Sequence, residues 1–268
     1  MKRKYLIRSY LEKFAYSLVL FLFTFVGVFQ FTVLNKNFIE SQFDDEHYQN
    51  IENSLKAEMK RSMISSGLDD EIIDDMFTKA DLENTVSQIL TILYDNSSFE
   101  FDTSNVEEKL RANIIFNLEK NNFQLDDEKG YNRFVDSIMD IYKGEFVMLN
   151  RVKKIGSLVS TLKKYSVVLF ICLFSLLSVL TLLFRKRITR ILPVALFTSC
   201  FLILFGIAYI EQRSGISSIT IISVTFSELL RRVVHDVFSI YQVIAIAYFI
   251  VGFVLLLFRK SHRHHHHS

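Results

Sequence analysis

Four uninterrupted apolar runs constrain this chain more than any other feature. They cover residues 14–35, 165–184, 191–210 and 237–258, and no Asp, Glu, Lys, Arg or His falls in any of them. A helix rises 1.5 Å per residue, so about 20 apolar residues cross a ~30 Å hydrocarbon core. Each run reaches that length. The only polar side chains inside them are Gln30, Gln242, an Asn at the end of the first run, and scattered Ser, Thr and Tyr. A mean hydropathy of +0.25 agrees with a chain divided between lipid and water.

Charge sets the expected orientation. A formal net charge of +2 conceals strong segregation: residues 36–150 hold 25 acidic and 11 basic side chains, whereas 151–164 hold five basic and no acidic ones. Basic residues also crowd the span ends, at Lys2, Arg3, Lys4, Arg8 and Lys13, at Arg185, Lys186, Arg187 and Arg190, and at Arg259, Lys260 and Arg263. Short loops rich in Lys and Arg stay cytoplasmic. The expected layout is a cytoplasmic basic N-terminus (1–13) and a first span (14–35), followed by an extracytoplasmic helical domain with a stalk (36–164). After these come a second span (165–184), a cytoplasmic turn (185–190) and a third span (191–210). An extracytoplasmic loop with an amphipathic helix (211–236), a fourth span (237–258) and a cytoplasmic tail (259–268) complete it. Arg151, Lys153, Lys154, Lys163 and Lys164 oppose this orientation, but they end a long segment, where charge counts less. The tail after Ser261 is His-rich like part of an expression tag, so its histidines carry no argument.

The first run is too long for the apolar region of a cleaved signal, and Gln30 and Phe31 are poor cleavage positions. It reads as a signal anchor. Cys172 and Cys200 both lie in spans, so the outer domain is not a disulfide scaffold. These traits suit a bacterial plasma membrane.

Within 36–164 apolar residues recur at three and four, the helical period. Tyr48, Ile51, Leu55, Met59 and Met63 form one stripe; Leu82, Val86, Ile89, Leu90 and Leu93 a second; Val106, Leu110, Ile114, Phe116 and Leu118 a third. A fourth runs from Tyr131 through Val135, Ile138, Met139 and Tyr142 to Phe146, Leu149 and Val152. Ser104 with Glu107, and Thr78 with Asp81, have capping-box spacing. Phe99, Glu100 and Phe101 alternate like a short extended piece. The expected fold is therefore an all-α membrane protein: four spans, a bundle of four or five amphipathic helices, and a stalk weakened only at Gly144 and Gly156.

No nucleotide, dinucleotide, zinc-protease or serine-hydrolase motif occurs, and no cofactor or nucleic-acid partner is expected. The densest acidic cluster, Asp69, Asp70, Glu71, Asp74 and Asp75, reads as helix-start electrostatics; an ion site is the lesser alternative, because EF-hand spacing is absent. Asp44, Asp45, Glu46 and His47 read as a solvated helix start. Candidate contacts with the membrane surface or a partner are Lys153, Lys154, Lys163 and Lys164, together with Glu228, Arg231, Arg232, His235 and Asp236. The last five lie mostly opposite the apolar face Phe226, Leu229, Leu230, Val233, Val234 and Val237.

The leading expectation is a non-enzymatic envelope protein, an accessory, sensor or receptor subunit whose outer domain binds a partner, with membrane lipid or a homo-oligomer completing the assembly. Ionisable residues inside spans mark transport paths, and here there are none. An oligomeric pore lined by Ser175, Ser178 and Thr181, and an enzyme acting on lipid through Glu228, Arg231 and His235, are alternatives. The order of one span, a large outer domain and three spans resembles, in topology alone, the cell-division-type ABC permeases. That resemblance implies a transport or mechanotransmission subunit, although the turn at 185–190 is short for a helix that couples to an ATPase.

Overall fold

The computed structural model describes residues 2–64, 70–74, 76–95, 102–121, 128–146, 149–214 and 224–264, and all regular structure among them is helical. Among the described residues ten α-helices follow in chain order: α1 (Lys2–Phe31), α2 (Lys36–Glu40), α3 (Asp45–Met63), α4 (Glu71–Asp74), α5 (Lys79–Asp95), α6 (Ser104–Lys120), α7 (Glu128–Phe146), α8 (Leu149–Leu183), α9 (Ile188–Ser214) and α10 (Val224–His264). A 3-10 turn, Arg185–Arg187, joins α8 to α9. The expected extended piece at 99–101 lies outside the described residues. Two units form, one of residues 36–161 and 220–229, the other of the remaining segments. Helices α8 and α10 contribute to both.

In the first unit the apolar stripes converge on one core. Leu55, Met59, Ile73, Leu82, Leu110 and Ile138 are each at most 1% exposed. All five residues of the first stripe are buried. The third stripe holds only in part: Val106, Leu110 and Ile114 are buried, but Phe116 is 67% exposed. At 100° per residue, position 116 lies nearly opposite 114. Buried Ile72, Ile73, Met76 and Phe77 tie the single turn α4 into the same core.

Polar contacts fix the helix starts and order. Asp44 caps α3 by accepting the His47 N–H at 3.0 Å, with Asp45 and Glu46 in the first turn. His47 nevertheless departs from a solvated start, since it is 6% exposed and its ring meets Phe43 edge-on. Its position four before Ile51 puts it on the buried stripe. The capping box predicted at Ser104 does not form. Thr103 is the N-cap, Asp102 accepts the Ser104 N–H at 2.9 Å, and Glu107 pairs with Arg111 instead. The acidic cluster is used in ion pairs: Glu71 with Lys120 of α6 at 3.0 Å and Asp74 with Lys60 of α3 at 2.7 Å.

Burial pushes the phenols of Tyr48, Tyr94 and Tyr142 up to about 12. The fold therefore favours their neutral forms. Their contribution is fully present below the unfolded value of 10.0 and is lost as pH rises toward 12. Tyr142, fully buried, also shares a 2.9 Å hydrogen bond with the Thr85 hydroxyl. Tyr142→Phe is expected to cost about 1 kcal/mol at neutral pH and to flatten the fall in melting temperature above pH 10. Equal slopes for variant and wild type, read by circular dichroism, would refute that assignment.

Among the described residues four helices are long and apolar enough to cross a membrane, within Ile7–Phe31, Gly156–Leu183, Arg185–Arg213 and Leu229–Phe258. That length and composition suit a multi-pass membrane protein. α1 and α9 are its most buried spans, at 39% and 44%, against 6% for α8 and 17% for α10. Hydroxyl bonds connect α1 to each of the others. Tyr16 meets Thr181 of α8 at 2.9 Å, Ser199 of α9 donates to the Ser17 carbonyl at 3.0 Å, and Thr24 meets Tyr248 of α10 at 2.6 Å. Tyr241 of α10 donates to the Phe25 carbonyl at 2.8 Å, and Ser166 donates to Gln30. Such bonds, with close packing, hold helices together where lipid removes the hydrophobic incentive. Glu12, 11% exposed, takes Arg8 and Arg187 at 3.1 and 3.3 Å, which fastens the α8–α9 turn to α1.

Candidate functional site

The charged face singled out in 228–236 sits on the first turns of α10. The separate amphipathic helix expected before the fourth span is not set apart: α10 is one helix of 41 residues, about 60 Å long. The polar residues stop near 236, but nothing there interrupts backbone hydrogen bonding. The periodicity itself holds. Leu229, Val233 and Val237 are 5–8% exposed, and the same buried line continues through Tyr241 and Ala245.

On the other side Arg231 and Arg232 are exposed, and His235 Nδ1 lies 3.5 Å from Asp236 Oδ1, with the two side chains 84% and 43% exposed. The pair is open to its surroundings. No hydrogen bond among the described residues joins either member to a serine, threonine or cysteine, so the geometry supplies an imidazole–carboxylate contact and not a nucleophile–base relay. Lys163 is half-buried and Lys164 exposed on α8. The side chains of Lys153, Lys154 and Glu228 lie outside the described residues, so the proposed convergence of Glu228 with Arg231 and His235 is not on view.

Of the three hydroxyls expected as a pore lining, Ser178 and Thr181 are otherwise engaged. Ser178 and Thr181 donate to their own backbone at Phe174 and Leu177, at 2.9 and 2.8 Å, and Thr181 also meets Tyr16. Among the described residues no group of three His, Cys, Asp or Glu side chains is placed to hold a metal ion.

Two polar centres in the bundle lie outside the candidate residues that sequence patterns mark. Asp81 of α5, 12% exposed, accepts from the Thr78 N–H and hydroxyl, both at 2.8 Å, from Lys109 Nζ at 2.7 Å and from Asn105 at 3.0 Å. Burial alone would raise its pKa; Lys109 and the Thr78 donors outweigh this and hold it below 3.8. The Thr78–Asp81 spacing was the legible part, and the partners on α6 were not. The other centre is His47, whose buried Nε2, like the buried Oε1 of Gln42, has no hydrogen-bond partner among the described residues. Its spacing with Ile51 and Leu55 was the available signal.

No protein-family model, curated protein or solved structure matches the chain.

Proposed function

We propose that this protein is a non-enzymatic accessory, sensor or receptor subunit of a cell envelope, anchored by four spans and binding a basic partner protein through its helical bundle. One observation carries the reading. The segment that forms the bundle is strongly acidic in composition, with 25 acidic against 11 basic residues in 36–150, while exposed Ile115 and Phe116 offer it an apolar anchor, at 48% and 67%. The spans favour anchoring over transport, since several of their polar groups bind one another and no Asp, Glu, Lys, Arg or His lies in the four apolar runs. We place both termini in the cytoplasm and 36–164 outside a bacterial plasma membrane, on the Lys and Arg distribution.

Crosslinking from a photoreactive residue at 116, in full-length protein in native membranes, tests the reading. A stoichiometric basic partner is the expected product; lipid alone, or no adduct, sinks it. Orientation is checked with single cysteines in a cysteine-free background. Asn121→Cys should react with an impermeant maleimide on intact cells, and Lys186→Cys only after permeabilisation. The reverse pattern would invert the topology.

The mechanotransmission reading draws on a different feature. Helix α8 is uninterrupted over 35 residues, about 50 Å, and includes both bundle and span residues. Co-purification of a nucleotide-binding protein would favour this alternative.

A further inference from the structure

The two glutamines of the apolar helices have different fates. Gln30 of α1 accepts a hydrogen bond from Ser166 of α8. Gln242 of α10 is exposed, and its amide makes no hydrogen bond to a described residue. A carboxamide facing hydrocarbon without a partner is costly, and in lipid such groups drive one helix against another. Gln242 is therefore the polar group in the spans with most to gain from a second helix.

We propose that α10 pairs in parallel with α10 of a second copy of this chain, along a seam centred on a Gln242–Gln242 amide pair. Three observations select a second copy. A carboxamide carries both donor and acceptor, so it complements itself across a two-fold axis, where each residue meets its own counterpart. Two copies inserted with one topology necessarily present α10 in parallel. The residues in line with Gln242 also have the required repeat: Ser239, Gln242, Ile246, Phe249 and Phe253 alternate in steps of three and four, the 3.5-residue period of two wound helices.

The seam is open for pairing. Ile246, Phe249 and Phe253 are 57%, 48% and 51% exposed, whereas an adjacent line of α10, Val237, Tyr241 and Ala245, is buried within the protein. Among the described residues, Phe249 alone has an internal ring contact on this side, an edge against Phe197. Ser239 is small enough to let the two backbones approach above the amide pair. The charged positions His235 and Arg232 continue the same line toward the helix start, beyond the apolar run. The inference does not depend on the accessory-subunit reading, because it concerns only α10.

Two readouts on the full-length protein test it. In a Cys172→Ala, Cys200→Ala background, Ser239→Cys in liposomes is expected to give a disulfide-linked dimer on oxidation. Val251→Cys, 48% exposed on another side of α10, should not. In mild detergent, light scattering should report a dimer whose dissociation constant rises about tenfold in Gln242→Leu and less in Gln242→Asn, which keeps the amide. A monomeric wild-type protein overturns the proposal. So does a Ser239→Cys yield no greater than that of Val251→Cys, or an oligomer that Gln242→Leu leaves unchanged. Leucine suits a span at least as well as glutamine, and the crosslink reads the seam without altering Gln242.

Discussion

Asp81→Ala should destabilise the bundle by about 3 kcal/mol, read as faster amide exchange across α5 and α6 in the full-length protein in detergent. The carboxylate closes the capping box at the start of α5, where the helix N–H groups would otherwise be unpaired. It also binds Lys109 and Asn105 of α6, so one side chain both starts a helix and docks its neighbour. Hydrogen bonds to a charged group contribute roughly 1.5–3 kcal/mol, and this carboxylate is only 12% exposed. Asp81→Asn keeps a cap acceptor but loses the charge, and about half the effect is expected.

The acid limb follows the same logic. Because the folded pKa lies below 3.8, the contribution of Asp81 is complete above that value and disappears as pH falls through the lower folded one. Asp81→Asn should flatten the wild-type decline in that window. Combining Asp81→Ala with Lys109→Ala should cost less than the sum of the separate changes. Additive costs would show that the two side chains act independently.

Much of this architecture was legible because apolar spacing reports which side of a helix is buried. The stripes from Tyr48 to Met63 and from Val135 to Tyr142 are core in the structure, and four apolar runs became four long apolar helices. A stripe ends where its period does: Phe116 follows Ile114 by two positions, which turn a helix by about 200° and carry it off the buried side. His47 follows acidic residues in sequence, but its spacing of four aligns it with Ile51 and Leu55.

At Ser104 the N-cap is instead Thr103, without a side-chain cap bond, and Asp102 accepts the Ser104 N–H. On α10 the charged face was legible, but its continuity with the span was not. Composition changes near 236 while the backbone ladder continues. Pairing was the least readable level. Gln30 and Gln242 look alike in the sequence, and only the packing of α8 beside α1 gives one of them a partner.

Glycine shows the same limit, and Gly156→Leu should produce the other large effect, a loss of about 2–3 kcal/mol. Gly144 and Gly156 were both weak points in a stalk when judged by helix propensity. They differ in their surroundings. A Cβ at Gly144 would meet nothing within 4 Å, so Gly144→Ala should gain about 0.5–1 kcal/mol from reduced backbone freedom in the unfolded chain. A Cβ at Gly156 would stand 3.0 Å from the Ile92 carbonyl and 3.3 Å from that of Leu93. These belong to the last turn of α5, where carbonyls have no partner within their own helix. They are backbone atoms and cannot swing aside as a side-chain tip can, so added volume must push α8 away from α5.

Substitutions of one residue type, twelve positions apart, should thus have opposite signs. Amide exchange at the end of α5 reads the difference directly, since opening that contact exposes Ile92 and Tyr94, which are 2% and 6% exposed. If both variants stabilise, the close approach at Gly156 is not a packing contact. If Gly156→Leu loosens α5 while crosslinking from position 116 survives, partner binding does not require this contact. Loss of both would make the α5–α8 contact a requirement for the binding we propose.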